Sequence, residues 1–248
     1  MIDDVVNLNA LDVSEVFGPT FQGEGPSLGR RCAFVRLVRC NLDCGEGHGS
    51  TWCCDTPYTW RWRGRYDESR PTFEPREETH HRTVDEVVEE ILALHVPLVV
   101  VSGGEPLLQR GSLAALARTL HRHDVEVEVE TNGTILPGPA LAAVTAWNVS
   151  PKLANSGVPI ARRWHPDVLT TFVGHPRARF KFVAAHRSDL AEVELYDLPR
   201  DRVWIMPAGT EALLLSARLV DLADDVLARG WNLTTRLHVA IWGDERGR

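Results

Sequence analysis

Leu98-Val99-Val100-Val101-Ser102-Gly103-Gly104-Glu105-Pro106 is the stretch that decides the fold. A continuous apolar run of this length, entered from Pro97 and left through a glycine pair, reads as a parallel strand buried on both faces. Ligands of α/β sheets collect at the carboxyl ends of such strands, and Gly103 and Gly104 are expected to leave backbone amides and carbonyls open there. Just upstream, Thr83 and Glu86 form a capping box ahead of Val84, Val87, Val88, Ile91 and Leu92, one face of a helix that Pro97 stops. Downstream, Leu113, Leu116, Ala117 and Leu120 mark a second helix from near Ser112, followed by a strand over 125–130. The strict alternation there predicts a solvated face for Glu126 and Glu128. Further strand ends are expected at 147–152, 180–183 and 202–207, then a helix from about Glu211 to Ala228 and a last strand over 237–242. Before all of these, 13–17 and 32–39 read as strands. Strands separated by helical patterns predict an α/β fold, an incomplete β/α barrel of mainly parallel strands with its chemistry at their carboxyl ends.

The second informative stretch is Cys40-Asn41-Leu42-Asp43-Cys44-Gly45-Glu46-Gly47-His48-Gly49-Ser50-Thr51-Trp52-Cys53-Cys54-Asp55-Thr56, which holds four of the five cysteines. Thiolates gathered on one short polar loop are what a thiophilic metal or an iron–sulfur cluster requires. The residues alone leave two choices open. His48 with Cys40, Cys44 and Cys54 would make a zinc site, and either Cys53 or Cys54 would serve as the third thiolate. The segment 45–51 is polar and glycine-rich, so it can loop out while the sulfurs converge.

Composition narrows the field. A chain of 248 residues with 44% hydrophobic content supports one sizeable domain, and a formal charge of −7 argues against a surface that coats nucleic acid. Met1-Ile2-Asp3-Asp4 does not resemble an export signal, and no apolar run approaches the length of a membrane span. The expectation is a cytoplasmic protein, where thiols stay reduced.

Several motifs together resemble one family. Cys40-x3-Cys44 with Cys54-Asp55-Thr56, and Gly103-Gly104-Glu105-Pro106, resemble the radical S-adenosylmethionine (SAM) enzymes. Gln22-Gly23-Glu24-Gly25, Phe34-Val35-Arg36, Cys40-Asn41-Leu42 and Asp55-Thr56-Pro57-Tyr58-Thr59 are similar to the 7-carboxy-7-deazaguanine synthases within them. The usual C-x3-C-x2-C spacing is here C-x3-C-x9-C. The resemblance implies a 4Fe-4S cluster on Cys40, Cys44 and Cys54, Cys54 being chosen because it directly precedes Asp55-Thr56. It implies SAM bound near Gly103, Gly104, Glu105, Glu130 (of Glu130-Thr131-Asn132-Gly133), Ser150 and Lys152, and Mg2+ at Thr56. Gln22, Glu24, Arg36 and, on the last strand, His238 would face the substrate. The implied reaction is radical conversion of 6-carboxy-5,6,7,8-tetrahydropterin to 7-carboxy-7-deazaguanine with loss of ammonia, in queuosine and 7-deazapurine biosynthesis, with electrons from a flavodoxin or ferredoxin. A homodimer is expected, and neither nucleic acid nor membrane is an expected partner.

Alternatives within and outside this chemistry are an activase acting on a glycyl-radical partner protein, against which Gln22, Glu24 and Arg36 speak, and a non-catalytic zinc-binding interaction domain. The single domain 1–248 then carries an insertion at 45–51 and a long irregular loop at about 60–80. That loop has no helical or strand period and reads either as a lid or partner surface, or as an insertion without function.

Overall fold

The computed structural model describes residues 9–248; the opening residues Met1 to Asp4 lie outside that range. The strands are β1 (Ala10–Phe21), β2 (Arg31–Leu37), β3 (His80–Thr83), β4 (Leu98–Gly103), β5 (Glu126–Thr131), β6 (Ala146–Val149), β7 (Ala178–Ala184), β8 (Val203–Pro207) and β9 (Asn232–Leu233). The helices are α1 (Pro75–Glu78), α2 (Val84–Ala93), α3 (Arg110–His121), α4 (Ala140–Ala143) and α5 (Ile160–Arg163). They continue with α6 (Pro166–Val173), α7 (Asp189–Glu194), α8 (Ala212–Ala228) and α9 (Leu237–Trp242).

All nine strands form one sheet in the order β3-β1-β2-β4-β5-β6-β7-β8-β9. β1 runs antiparallel to β2 and β3, and every pairing from β2 through β9 is parallel. The two outer strands do not meet among the described residues, so the sheet is an incomplete barrel, as the alternating pattern predicts. Parallel register brings the carboxyl ends to one edge: Leu37 stands beside Gly103, and Thr131 beside Val149.

The two faces of the sheet differ in chemistry. Val99 and Val101 of β4, Val127 and Val129 of β5, Phe180 and Phe182 of β7, and Val203 and Ile205 of β8 join α2 and α3 in one apolar core. The alternate residues, Glu128, Glu130, Asn148 and Lys181, turn to the inner face. Glu128 is therefore buried, not solvated: its carboxylate accepts from Gln22, Ser27 and Asn148. Period-two alternation normally marks a face in water, but here the polar side lines the inside of a curved sheet. Glu126, at the start of the same strand, is part-exposed and pairs with Arg30 and Arg177.

The capping box of α2 forms as read, with the Thr83 hydroxyl accepting from the Glu86 amide and the Glu86 carboxylate accepting from the Thr83 amide. Segment 237–242 is helix α9 rather than a strand. Its alternating Leu237, Val239 and Ile241 do not share a buried face, since Val239 is buried and Ile241 is exposed. A six-residue apolar run does not distinguish the two states by period alone.

Candidate functional site

The carboxyl edge opens into a cavity of about 750 Å3 lined from β1, β2, β4, β5, β7, β8, the cysteine loop and the segments after β6 and β9. At one end are Cys40, Cys44 and Cys54, packed with Trp52 around Leu42 and Val158. The Cys40 sulfur accepts from the Leu42 amide at 3.4 Å, and the Cys54 sulfur from the Trp60 indole at 3.4 Å. Burial pushes all three thiols up, Cys44 to about 12; a charge on Cys54 would raise Cys44 and Cys40 further, and one on Cys44 would raise Cys40. Three thiols held out of water beside one another disfavour free thiolates and suit a group that supplies positive charge.

Cys53 also borders the cavity, but it is exposed and its sulfur accepts from Arg70 at 2.7 Å. Cys32 lies in a separate apolar group with Phe34, Leu98 and Val100. His48 sits away from the cavity, lining a shallow depression with Asp43 and Arg162. Among the described residues no three His, Cys, Asp or Glu side chains gather around a single-ion position, so His48 does not complete a zinc site. Cluster ligation asks for something different, because each cysteine there binds its own iron.

Gly103 and Gly104 both line the cavity, and the pair also packs closely. A Cβ on Gly103 would stand 2.1 Å from the Leu37 carbonyl oxygen, and one on Gly104 2.1 Å from that of Arg39. The Gly104 and Glu105 amides donate to those same carbonyls, so neither amide is open to a ligand. What the pair achieves is to press the end of β4 against the chain leading into Cys40. The Gly103 carbonyl accepts from the Thr56 hydroxyl at 3.3 Å. Glu105 does not line the cavity: its carboxylate accepts from the Leu107 and Asn132 amides and the Thr131 hydroxyl. Burial raises its pKa against the pull of those hydrogen bonds. Glu130, Ser150 and Lys152 do line the cavity, and Lys152 donates to Ser150 at 3.0 Å.

The other end of the cavity is charged. Lys181, buried on β7, pairs with Glu24 and stands 3.6 Å from Glu130. Arg236, equally buried, donates to Glu24 at 3.0 Å and pairs with Asp55. Burial alone would raise Glu24, but the two cations outweigh it and hold the carboxyl well below its ordinary range. Gln22 donates to Glu128 and Glu130. Arg36 donates to Glu15 at 2.7 Å with its guanidinium near the Phe17 and Phe34 rings. His238 lines the same end from α9, its ring against Gly23 where any Cβ would collide, and burial lowers its pKa. Gln22, Glu24, Arg36 and His238 thus all line the cavity that the cysteines also line.

Lys181, Arg236 and Asp55 are site residues that the sequence reading misses. Lys181 left a signal, since a lysine between Phe180 and Phe182 in a core strand needs a buried partner. Arg236 follows a short edge strand and carries no such mark.

An open parallel sheet with three cysteines at its carboxyl edge defines a radical SAM enzyme, and the family model of the radical SAM superfamily matches residues 36–151. The 7-carboxy-7-deazaguanine synthase of Pyrobaculum aerophilum is 37% identical over 243 residues, covering 95% of this chain and 96% of that protein. That of Hyperthermus butylicus is 36% identical over 242 residues, covering 93% and 92%. The chain belongs to the 7-carboxy-7-deazaguanine synthase family. Its fold is similar to the crystal structure of QueE from Escherichia coli, with a TM-score of 0.65 at 23% identity over 92% of this chain and 95% of that one.

Proposed function

We propose that this chain converts 6-carboxy-5,6,7,8-tetrahydropterin to 7-carboxy-7-deazaguanine with loss of ammonia, in queuosine and 7-deazapurine biosynthesis. The observation that carries this reading is one cavity with three clustered thiols at one end and the Glu24–Lys181–Arg236 charge group at the other. Cys40, Cys44 and Cys54 would hold a 4Fe-4S cluster, and the cavity-lining Gly103, Gly104, Glu130, Ser150 and Lys152 would hold SAM. When bound, that pair supplies the hydrogen-abstracting radical that side chains cannot provide. Gly104 also acts through close packing, and Glu105 acts by positioning, tying the end of β4 to that of β5.

The remaining residues bind and orient the substrate. A carboxypterin offers adjacent N–H donors on its pyrimidinone edge and a carboxylate on the other ring. Glu24, kept ionised by Lys181 and Arg236, presents acceptors to the first. Arg36 has the planar fork that suits the second, and Gln22 and His238 flank the site. The Thr56 hydroxyl offers a hard oxygen for Mg2+ beside Cys54, from which it stands 3.6 Å. We place the enzyme in a reducing cytoplasm, as a homodimer that takes electrons from a flavodoxin or ferredoxin.

The test is anaerobic reconstitution with iron and sulfide, followed by incubation with SAM, a reductant and the tetrahydropterin. Mass-spectrometric detection of 7-carboxy-7-deazaguanine and ammonia is expected. A loaded, reducible cluster that cleaves SAM but leaves this pterin unchanged would remove the substrate assignment.

A further inference from the structure

The excursion between Cys44 and Cys54 is too long for the sulfurs to be held by local geometry, yet it is tied down on both flanks. On one side the Gly45 amide donates to the Ser156 carbonyl and the Thr51 amide to that of Asn155, both at 2.9 Å. The Trp52 indole donates to the Asn155 side chain at 2.9 Å. On the other side the excursion meets the 60–80 loop chiefly through the Glu46 carboxylate, with Arg70 also reaching the Gly45 carbonyl and the Cys53 sulfur.

Arg61 lies at the centre of that contact and is 2% exposed. Its Nε donates to Glu46 at 2.7 Å and one terminal nitrogen reaches the other Glu46 oxygen at 3.4 Å. The remaining donors go to the carbonyls of Arg70, Pro71 and Asp67 at 2.8, 2.9 and 2.8 Å. All five N–H donors of the guanidinium are thereby used, which is what a buried arginine requires. Arg70 pairs with the same Glu46 oxygen that accepts from the Arg61 Nε and donates to the Gly45 carbonyl at 3.1 Å. Arg61 therefore folds the 67–71 turn around itself and presents that turn's cation to the cysteine loop.

We infer that Arg61 and Glu46 form a latch in which the 60–80 loop fixes the Cys44–Cys54 excursion, making Arg61 and Glu46 positioning residues for the cluster. The inference rests on the assignment of Cys40, Cys44 and Cys54 as its ligands. Neither residue touches a sulfur of that set; the latch acts on the entropy of the loop between two of them. Removing Glu46 leaves the buried Arg61 only the longer, exposed pairing with Asp67 at 3.8 Å, which loosens the 67–71 turn along with the excursion.

The experiment compares anaerobically reconstituted parent, Glu46→Ala, Arg61→Met and the double variant. It measures the rate at which a chelator withdraws iron and the electron paramagnetic resonance signal of the reduced cluster, with urea midpoints as a check of the sheet core. Each single variant is expected to release iron roughly ten- to hundredfold faster, as loss of an outer partner of a metal ligand does. The double variant should fall short of the product of the two, since both cut the same link. Should a single variant be insoluble, Glu46→Gln, which keeps size and one acceptor, carries the same expectation of faster release. Iron release at the parent's rate with an unchanged signal in every soluble variant overturns the latch. A parent that takes up no cluster overturns the ligand assignment beneath it, and the latch with it.

Discussion

Cys53 and Cys54 are neighbours in sequence and opposites in environment. Successive side chains of an extended stretch face opposite ways, so only one of the two can join Cys40 and Cys44. Cys54 does so, under the Trp60 indole and beside Thr56, while Cys53 lies exposed against Arg70. Cys54→Ala is expected to abolish cluster loading, and Cys53→Ala to retain iron and sulfide near the parent's content. Iron and sulfide analysis with paramagnetic resonance of both variants decides it; loss of cluster in Cys53→Ala with Cys54→Ala intact would reverse the assignment. The position of Cys54 directly before Asp55-Thr56 is the sequence feature that favours it, and its packing with Cys40 and Cys44 agrees with that choice. Lys181 and Arg236 were harder to read, because their roles come from partners more than a hundred residues away, Glu24 above all.

Among the elements, those with a local cause were legible and those with a distant cause were not. The capping box starts α2 and the apolar run makes β4, both written in adjacent residues. β5 was legible as a strand but not in its facing, because burial of Glu128 depends on curvature and on Gln22, Ser27 and Asn148 from other elements. α9 was misread as a strand because a short apolar alternation fits either state, and the anchor that places it, the Leu237 amide on the Gly23 carbonyl, is remote in sequence. Glu24 joins these elements by pairing with β7 through Lys181 and with the residue before α9 through Arg236. Burial opposes its ionisation and the two cations reverse that, so the folded-state pKa lies below the ordinary 4.5. A depressed carboxyl contributes stability that is present above 4.5 and lost as pH falls toward the folded-state value. Urea midpoints should therefore separate parent from Glu24→Gln at neutral pH, with the gap narrowing as the pH is lowered through 4.5. A gap that stays constant or widens on acidification would show that Glu24 is not held ionised by this pair.

At the scale of the molecule, an open, curved parallel sheet sends its apolar residues outward to the helices and keeps its polar ones on the inner face. That division leaves a chamber lined by the cysteines and by the little-exposed Glu24, Lys181 and Arg236. Cys40, Cys44 and Cys54 would hold the cluster there and the charged residues would hold the substrate, with their shielding from water limiting side reactions of the radical that the bound cofactors would supply. If the cysteines and the charge group of this cavity serve one reaction, the reconstituted, reduced enzyme given SAM and a tetrahydropterin deuterated at its reduced ring carbons will release 5′-deoxyadenosine whose mass spectrum shows deuterium, formed faster when the pterin is present. Release of 5′-deoxyadenosine that carries no deuterium, at the same rate without the pterin, would overturn that link.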